Sequence, residues 1–472
     1  SPPDINNLRK LLTYVDKRVD FELRKTQKSG YLLHKLGTEK FEALVDDLKR
    51  RRSPCLLNED DSGIWIHSGL GVKVSKHFNT TLVREYPLPE PKLIPWARDP
   101  RKPRPYQDLA FQALLDAAVN GPAGIEHGTG LGKTTTAMMV AKALGLKTVV
   151  MCPSKSIARQ TLEDFTEYLG AAKVGLYGDG RKDFKKLITI AIDDSLAMVE
   201  PGTPAWEAFS GAQVFIADES HLTPASTLQQ VCLELMANAP YRFFFSGTQI
   251  RNDGLDKVLE GIVGPIVHRM TVREGVDQGY LARPRFTMVR VPSDRDYESS
   301  DANKMTRVHL YYNPNVLAKA AEFANKAVIL LNRPTLILVE EVEQFAVLLP
   351  LLSVKAGFAH GPLTKENREK VPSAYHDSDP RALVADFDAG KIPLLVGTSC
   401  ISTGTDIKTA SMIIRVKGKT SEITVRQDTG RGTRLAPGKN DCHVVDFDVF
   451  DVPILHRHAD ARRVIYDDIY GP

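Results

Sequence analysis

The chain has 472 residues, 42% hydrophobic and 25% charged, with a formal net charge of +4. That length suits two or three domains of an ordinary globular protein. No window approaches eighteen uninterrupted apolar residues, which excludes a membrane-spanning helix. The cysteines (Cys55, Cys152, Cys232, Cys400, Cys442) are scattered with no Cys-x-x-Cys pair, which argues for reduced thiols in a cytosolic compartment and against a zinc module.

The charge is uneven. Residues 1–105 carry 21 Lys and Arg against 14 Asp and Glu, and the remainder carries 41 against 44. A basic front on a near-neutral body suits a polyanionic partner, although a solvated basic surface has the same composition. Ser1-Pro2-Pro3-Asp4 has no basic and apolar signal pattern and, without Met, reads as a processed end.

In chain order, residues 4–26 and 38–52 are expected to be amphipathic helices. Leu8, Leu11, Leu12 and Val15 form one apolar stripe and Phe41, Leu44, Val45 and Leu48 the other. The second helix ends in Lys49-Arg50-Arg51-Arg52, which suits a phosphate backbone as well as it suits a helix C-terminus. Ile64 to Val74 reads as two short strands around a Gly turn, hence a hairpin with Trp65 in its core. Residues 1–85 are thus expected to be a small basic α+β module that binds nucleic acid. Residues 86–103 read as a Pro-rich linker with Trp96 as an anchor.

From Arg104 the pattern alternates between helices and apolar strands. The stretch Gly124-Ile-Glu-His-Gly-Thr-Gly-Leu-Gly-Lys-Thr-Thr135 lies between helical segments at 107–118 and 135–144. Gly128, Gly130 and Gly132, followed by Lys133 and Thr134, make a backbone that curls around a polyphosphate, with a helix N-terminus and a lysine facing the anion. A strict P-loop has glycine where His127 stands. Strands follow at Thr148–Cys152, 187–192, 214–217 and 243–245, each ending in polar residues. A second series is expected at 286–291, 335–339, 394–396, Met412–Val416 and 443–447, with helices at 314–331, 342–352 and around 424–429, and an exposed loop at 293–304. Such strands indicate parallel sheets covered on both faces, with ligands at the carboxyl ends. The fold class expected is α/β, with two tandem parallel-sheet domains at 104–280 and 281–472 and a short helical tail.

Asp218-Glu219-Ser220-His221 ends an apolar strand about 85 residues after Lys133. One of the two carboxylates can hold Mg²⁺ opposite the Thr134 hydroxyl while the other polarises the attacking water. Gln427-Asp-Thr-Gly-Arg431-Gly-Thr-Arg434 sets two arginines three apart at a turn, able to neutralise charge developing on a phosphate. The histidines show no metal spacing, and His456 and His458 are expected to be surface or packing residues.

In this order the motifs resemble those of superfamily 2 helicases and DNA translocases over roughly 104–450. The resemblance implies two RecA-like domains with ATP in the cleft between them. Arg104, Tyr106 and Gln107 look like the adenine-reading motif, and Gly128, Thr129, Gly130, Leu131, Gly132, Lys133, Thr134 and Thr135 like motif I. Pro153, Ser154, Lys155 and Arg159 look like the strand-contacting motif Ia. Asp218 to His221 is similar to a DExH motif II, and Ser246 with Thr248 to motif III, so His221, Ser246 and Thr248 would couple hydrolysis to movement. Thr398 and Ser399, with Gly404 and Asp406, resemble motif V, the first two on nucleic acid and the last two on the nucleotide. Gln427, Arg431 and Arg434 resemble motif VI, with the arginines as fingers. The nearest likeness is to the branch containing phage UvsW, XPB and type III restriction subunits, and the short tail Asp446–Phe450 with 456–470 shares it.

The resemblance implies an ATP- and Mg²⁺-dependent enzyme that remodels branched DNA by branch migration, fork regression or strand displacement. It would act in the cytoplasm of a bacterium or a phage-infected cell. An RNA helicase, or the motor subunit of a restriction or defence complex with a separate nuclease, carries the same core motifs. Replication, recombination or defence proteins are the partners these readings imply.

Overall fold

The computed structural model describes residues 5–13, 17–27, 34, 38–52, 57–60, 63–84, 87–98, 102–220, 223, 225–247, 256–401 and 407–470. Its chain divides into two compact units. One comprises residues 1–127 with 133–269, and the other comprises 128–132 with 270–472.

Among the described residues the first unit begins with α1 (Ile5–Leu12), α2 (Lys17–Gln27) and α3 (Thr38–Arg52). The helix expected over 4–26 is therefore two helices. Leu8 and Leu12 pack with Leu70, whereas Leu23 packs with Val45 and Leu48, so the two pieces serve different clusters. The hairpin expected over 64–74 is displaced. β1 (Leu57–Asp60) pairs antiparallel with β2 (Gly63–Ile66), while Gly71–Phe78 forms α4. Val72 and Val74 alternate as in a strand, but Asn79 ends the segment in the left-handed region with its N–H on Lys76 and Ser75 carbonyls, a helix C-cap. The Trp65 side chain lies outside the described residues.

Residues 66–84 are docked. Lys73 Nζ is 2.7 Å from a Glu260 carboxylate oxygen, and a Cβ on Gly69 would stand 2.5 Å from the Gly261 carbonyl. The described residues of the proline-rich stretch, 87–98 and 102–103, form no helix or strand, and the stretch is stitched down. Lys92 N–H donates to the Leu144 carbonyl at 2.6 Å, Ile94 N–H to Lys142 at 3.1 Å and Ala97 N–H to Tyr168 at 2.8 Å. Trp96 packs on the core as an anchor, with Lys142 Nζ 5.3 Å from its ring centre.

Beyond it come α5 (Pro105–Ala118), β3 (Ala123–His127), α6 (Lys133–Leu144), β4 (Thr148–Cys152), α7 (Lys155–Leu169), β5 (Val174–Gly178), β6 (Arg181–Lys182), β7 (Ile188–Ile192), β8 (Val214–Asp218), β9 (Tyr241–Ser246), α8 (Asp256–Val263) and β10 (Ile266–Met270). The sheet runs β10-β3-β9-β8-β4-β7-β5-β6. β3, β9, β8, β4, β7 and β5 are mutually parallel, and β6 turns back antiparallel at the edge. β4, β7 and β8 are buried along their whole length, because helices cover both faces. Phe243, Phe244 and Phe245 are each fully buried, as a core strand requires.

The second unit carries β11 (Arg283–Val291), α9 (Pro314–Ile329), β12 (Thr335–Val339), α10 (Val342–Leu348), β13 (Ala356–Ala359), β14 (Leu394–Gly397), β15 (Met412–Val416), α11 (Glu422–Gly430), β16 (Asp441–Val449) and α12 (Pro453–Tyr470). Its sheet, β11-β16-β15-β12-β14-β13, is parallel throughout. Asp446–Phe450 is therefore not a tail: Asp446 to Val449 are the end of β16, an interior strand of this sheet, and α12 packs back on β16 and β11. The 293–304 loop is held down by Asp451, which accepts from the Ser293 N–H at 2.9 Å, and by His309. RecA-like architecture is thus present in both units.

Candidate functional site

Because the central strands of the first unit are parallel, their carboxyl ends deliver residues to one edge of the sheet. β3 ends at His127, β8 at Asp218 and β9 at Ser246. Lys133 opens α6 and is 8% exposed, with Nζ 2.9 Å from Glu219 Oε1 and donating to the His127 carbonyl at 3.2 Å. Glu219 adopts φ +45°, a backbone conformation that costs about 1–2 kcal/mol for a residue with a Cβ. Its other carboxylate oxygen accepts from the Gly247 N–H at 3.3 Å, and its own N–H donates to Asp218 Oδ1 at 3.0 Å. A Cβ on Gly247 would stand 3.7 Å from Lys133 Nζ. Lysine, acid pair and strand-end glycine thus form one polar cluster, and buried Ser246 sits beside it.

Asp218 is pushed up to about 7, first by burial and then by the Glu219 charge, with Lys133 opposing. A buried carboxylate next to a second one is short of positive charge, which suits a divalent cation. Among the described residues no three His, Cys, Asp or Glu side chains are grouped to hold a metal ion. Mg²⁺ asks less, binding through one or two protein ligands with water and phosphate. Thr134, half-buried in the first turn of α6, and Asp218 fit that demand.

The adenine-motif residues lie at the start of α5. Arg104 N–H donates to Gln107 Oε1 at 2.9 Å, closing the first turn, and the Arg104 guanidinium donates to the Tyr106 hydroxyl at 3.0 Å. Tyr106 is buried and meets the His127 ring edge-on, with centroids 5.5 Å apart. His127, in the position of the strict motif's glycine, is fully buried, with Nε2 2.9 Å from His268 Nδ1. Burial, then His268 and Lys133, push it down to about 3, so it is neutral. Its partner His268 was not foreseen, because nothing local marks it.

Motif Ia is already engaged. Ser154 caps α7, accepting from the Ile157 N–H at 3.3 Å. Lys155 lies 3.5 Å from Asp179, and Arg159 Nε donates to the same carboxylate at 2.6 Å. Asp179 sits with φ +53° between β5 and β6 and is held below the usual carboxylate range chiefly by Arg159. Pro153 is half-buried just beyond β4.

In the second unit, Gly128 N–H donates to the Met270 carbonyl at 2.9 Å, and Gly130 and Gly132 take φ +85° and +75°. A Cβ on Gly130 would reach Leu281 at 3.0 Å and Arg434 Cγ at 3.5 Å, and one on Gly430 would fall 2.5 Å from Thr129 Cβ. The loop residues Gly128–Gly132 therefore lie against the end of α11. Leu131 is fully buried, and a Cβ on Gly275 would stand 2.7 Å from its side chain. Gln427 is half-buried on α11, and Arg431 follows it, 7% exposed and pushed down to about 10 by burial, with Asp428 opposing. A Cβ on Gly432 would fall 2.1 Å from Cys442 Sγ, so only glycine fits between the two arginines at this point. Thr398 follows β14, buried, with its hydroxyl 3.5 Å from Cys400 Sγ, and Ser399 opens a 3-10 turn. His221, Thr248, Gly404 and Asp406 lie outside the described residues.

Sequence reasoning missed the charges under motif VI. Arg415 interrupts the apolar run of β15 and is fully buried. Its Nε donates to Asp428 on α11 at 3.0 Å, and one terminal nitrogen donates to Asp446 on β16 at 2.8 Å. Arg462 Nε, on α12, donates to Asp446 at 2.7 Å, and the Tyr466 hydroxyl donates to it at 2.5 Å. Lys417 Nζ lies 3.4 Å from Asp428. An arginine inside an otherwise apolar strand was the available signal.

Comparison with known proteins matches two family models along the chain. The model for the type III restriction enzyme res subunit matches residues 101–251, and that for the helicase conserved C-terminal domain matches 319–436. The chain is 28% identical over 181 residues to the DNA 3'-5' translocase XPB2 of Sulfurisphaera tokodaii, covering 38% of each chain. It is 25% identical over 341 residues to the "Probable helicase D10" of Escherichia phage T5, covering 71% of this chain and 70% of that one. A Saccharomyces cerevisiae Dbp5 variant bound to RNA and ADP BeF3 shares the fold at TM-score 0.51 and 15% identity, over 78% of this chain and 88% of that one. The match thus spans well under half the length of the archaeal relative. No helix of the described residues is long and apolar enough to cross a membrane.

Proposed function

This chain belongs to superfamily 2 of the helicases and translocases, and from that premise we propose that it is a nucleic-acid-dependent ATPase that moves on DNA and remodels branched structures. One observation carries the reading: Lys133, Glu219 and Asp218 share one partly accessible cluster at the carboxyl ends of parallel strands. Phosphate entering the cluster competes with Glu219 for Lys133. Glu219, once released, is placed to orient the attacking water and take its proton. Arg431 and Arg434, with Gln427 beside them, are assigned to offsetting the charge that grows on a phosphate. Mg²⁺ would be held by Thr134 and Asp218 and supplies charge neutralisation of the phosphates. Tyr106 and Gln107 read the adenine, and Gly404 and Asp406 are assigned to the nucleotide. Strand contacts fall to Pro153, Ser154, Lys155, Arg159, Thr398 and Ser399, while His221, Ser246 and Thr248 relay hydrolysis to them. Contacts of this kind go to phosphate, so binding is sequence-tolerant and falls with salt.

A second reading is the motor of a restriction or defence complex, favoured by the res-subunit match over 101–251. An ATPase assay with single-stranded, duplex and forked DNA and with RNA as stimulants separates the readings. Stimulation by forked DNA supports the first. Stimulation by RNA alone ends it, and activity that needs a second protein favours the motor subunit.

A further inference from the structure

We propose that the buried Arg415–Asp428–Asp446–Arg462–Tyr466 network is the positioning device of motif VI, and that it makes α12 a working part of the arginine finger rather than a packing helix. The proposal rests on the reading of Arg431 as a finger. Four elements meet in the network. Asp428 lies on α11, one residue after Gln427 and three before Arg431. Arg415 bonds it from β15, and Lys417 flanks it. Arg415 also bonds Asp446 of β16, which is gripped from α12 by Arg462 and by the Tyr466 hydroxyl. Tyr466 in turn accepts from Arg415 at 3.1 Å, which closes the ring of contacts.

Arg415 and Asp428 are fully buried, and Asp446, Arg462 and Tyr466 are at most 4% exposed. Charges so placed are poor stabilisers, because taking them from water offsets most of their attraction, and well-packed apolar residues hold a core as firmly. What they supply is direction. A carboxylate bonded by a buried guanidinium nitrogen, here Arg415 Nε, has a fixed place, whereas apolar contact lets a helix slide or roll. Asp428 is thus pinned at one point of α11, and the guanidinium of Arg431, one turn on, takes its place from it. The network sits on the face of motif VI turned towards the core, so Arg415, Asp428 and Arg462 are positioning residues.

The test uses the full chain and the charge-balanced double variant Arg415→Met/Asp428→Leu, which leaves Asp446 with Arg462 and Lys417 with Glu340. Tyr466→Phe serves as a milder second variant, and Arg431→Ala runs in parallel. The expected result is a melting temperature within a few degrees of wild type, a KM for ATP changed less than about threefold and a kcat lowered roughly 10- to 100-fold in the double variant. Tyr466→Phe lowers kcat less, in the same direction. Combined with Arg431→Ala, the double substitution adds no further loss, because both act through one group. Wild-type kcat in a folded double variant, with Arg431→Ala inactive, overturns the positioning role alone. Wild-type kcat in Arg431→Ala overturns the finger reading beneath it. If the double variant does not fold, unchanged kcat in Tyr466→Phe overturns the role of α12.

Discussion

The molecule holds two clusters of opposed charge that look alike and are built for opposite ends. In the first unit, Lys133 faces Glu219 at 2.9 Å with side chains 9% and 20% exposed, and Asp218 is short of positive charge. In the second, Arg415, Asp428, Asp446 and Arg462 pair with one another with side chains at 0–2% exposure. Burial pushes Asp446 up, yet Arg462 and Arg415 outweigh it and hold its pKa below the usual value. In the proposed function the first cluster is the pair that a phosphate exchanges into. The second is closed and has no place for a ligand. Access to solvent, rather than the number of charges, separates chemistry from scaffold here.

The largest break in that comparison is Lys133→Ala, expected to lower ATP turnover at least about 10³-fold while changing nucleic-acid affinity less than threefold, as read by steady-state hydrolysis and filter binding. Arg431→Ala comes next, with a loss on the order of 10³-fold and ATP affinity kept better than in Lys133→Ala; a nucleotide-binding titration compares them. Glu219→Gln should cost about 10²–10⁴-fold in hydrolysis and leave ATP trapped, seen as nucleotide that stays with the protein through gel filtration.

The two clusters also respond to pH with opposite sign. Asp218 keeps a proton up to about 7 in the folded chain, whereas its ordinary value is 3.8. The folded state therefore binds the extra proton between those values, and its stability falls as pH rises through that window. Asp446 is depressed, so its contribution is present above the unfolded value and is lost as acid protonates it. Melting curves should show Asp218→Asn raising Tm by a few degrees at pH 8 and not at pH 4, at about 2–4 °C per kcal/mol. Asp446→Asn should lower Tm at pH 8, since breaking a buried pair costs roughly 3–5 kcal/mol. The smallest effect belongs to the basic run. Replacing Lys49, Arg50, Arg51 and Arg52 by Ala should weaken DNA binding only modestly, and should reduce the slope of affinity against salt if those residues meet phosphate. An unchanged slope would mark the run as solvated surface.

What was legible followed from repetition and order. Uninterrupted apolar runs such as Val214–Ala217 announce buried parallel strands, and the order of Lys133, Asp218-Glu219 and Arg431 along the chain raises the expectation of phosphate chemistry. Of the strands that escaped notice, β1, β3, β5, β6, β10 and β13, two did so for a plain physical reason. Ala123–His127 and Ala356–Ala359 are rich in Ala and Gly, which favour no strand, and they hold their shape only by pairing with β9 and β14. Helix α4 was hidden by a valine alternation that its C-cap overrides. The pairing of Asp446 with Arg415 and Arg462 joins residues 31 and 16 positions apart, and no local pattern encodes it.

The stitched proline-rich stretch bears on how this molecule can be dissected. Leu88, Ile94 and Trp96 cover the core of the first unit, and three carbonyls on its helices receive their hydrogen bonds from residues 92–97. Gly145, with φ +56°, is there to let the Lys92 carbonyl approach, since any Cβ would fall 1.7 Å from it. A truncation starting at Arg104, where the family motifs begin, strips that cover and leaves wet apolar surface and unmatched carbonyls. An ATPase fragment meant to stand alone has to begin before Leu88, so the strap belongs to the engine and not to the coupling in front of it.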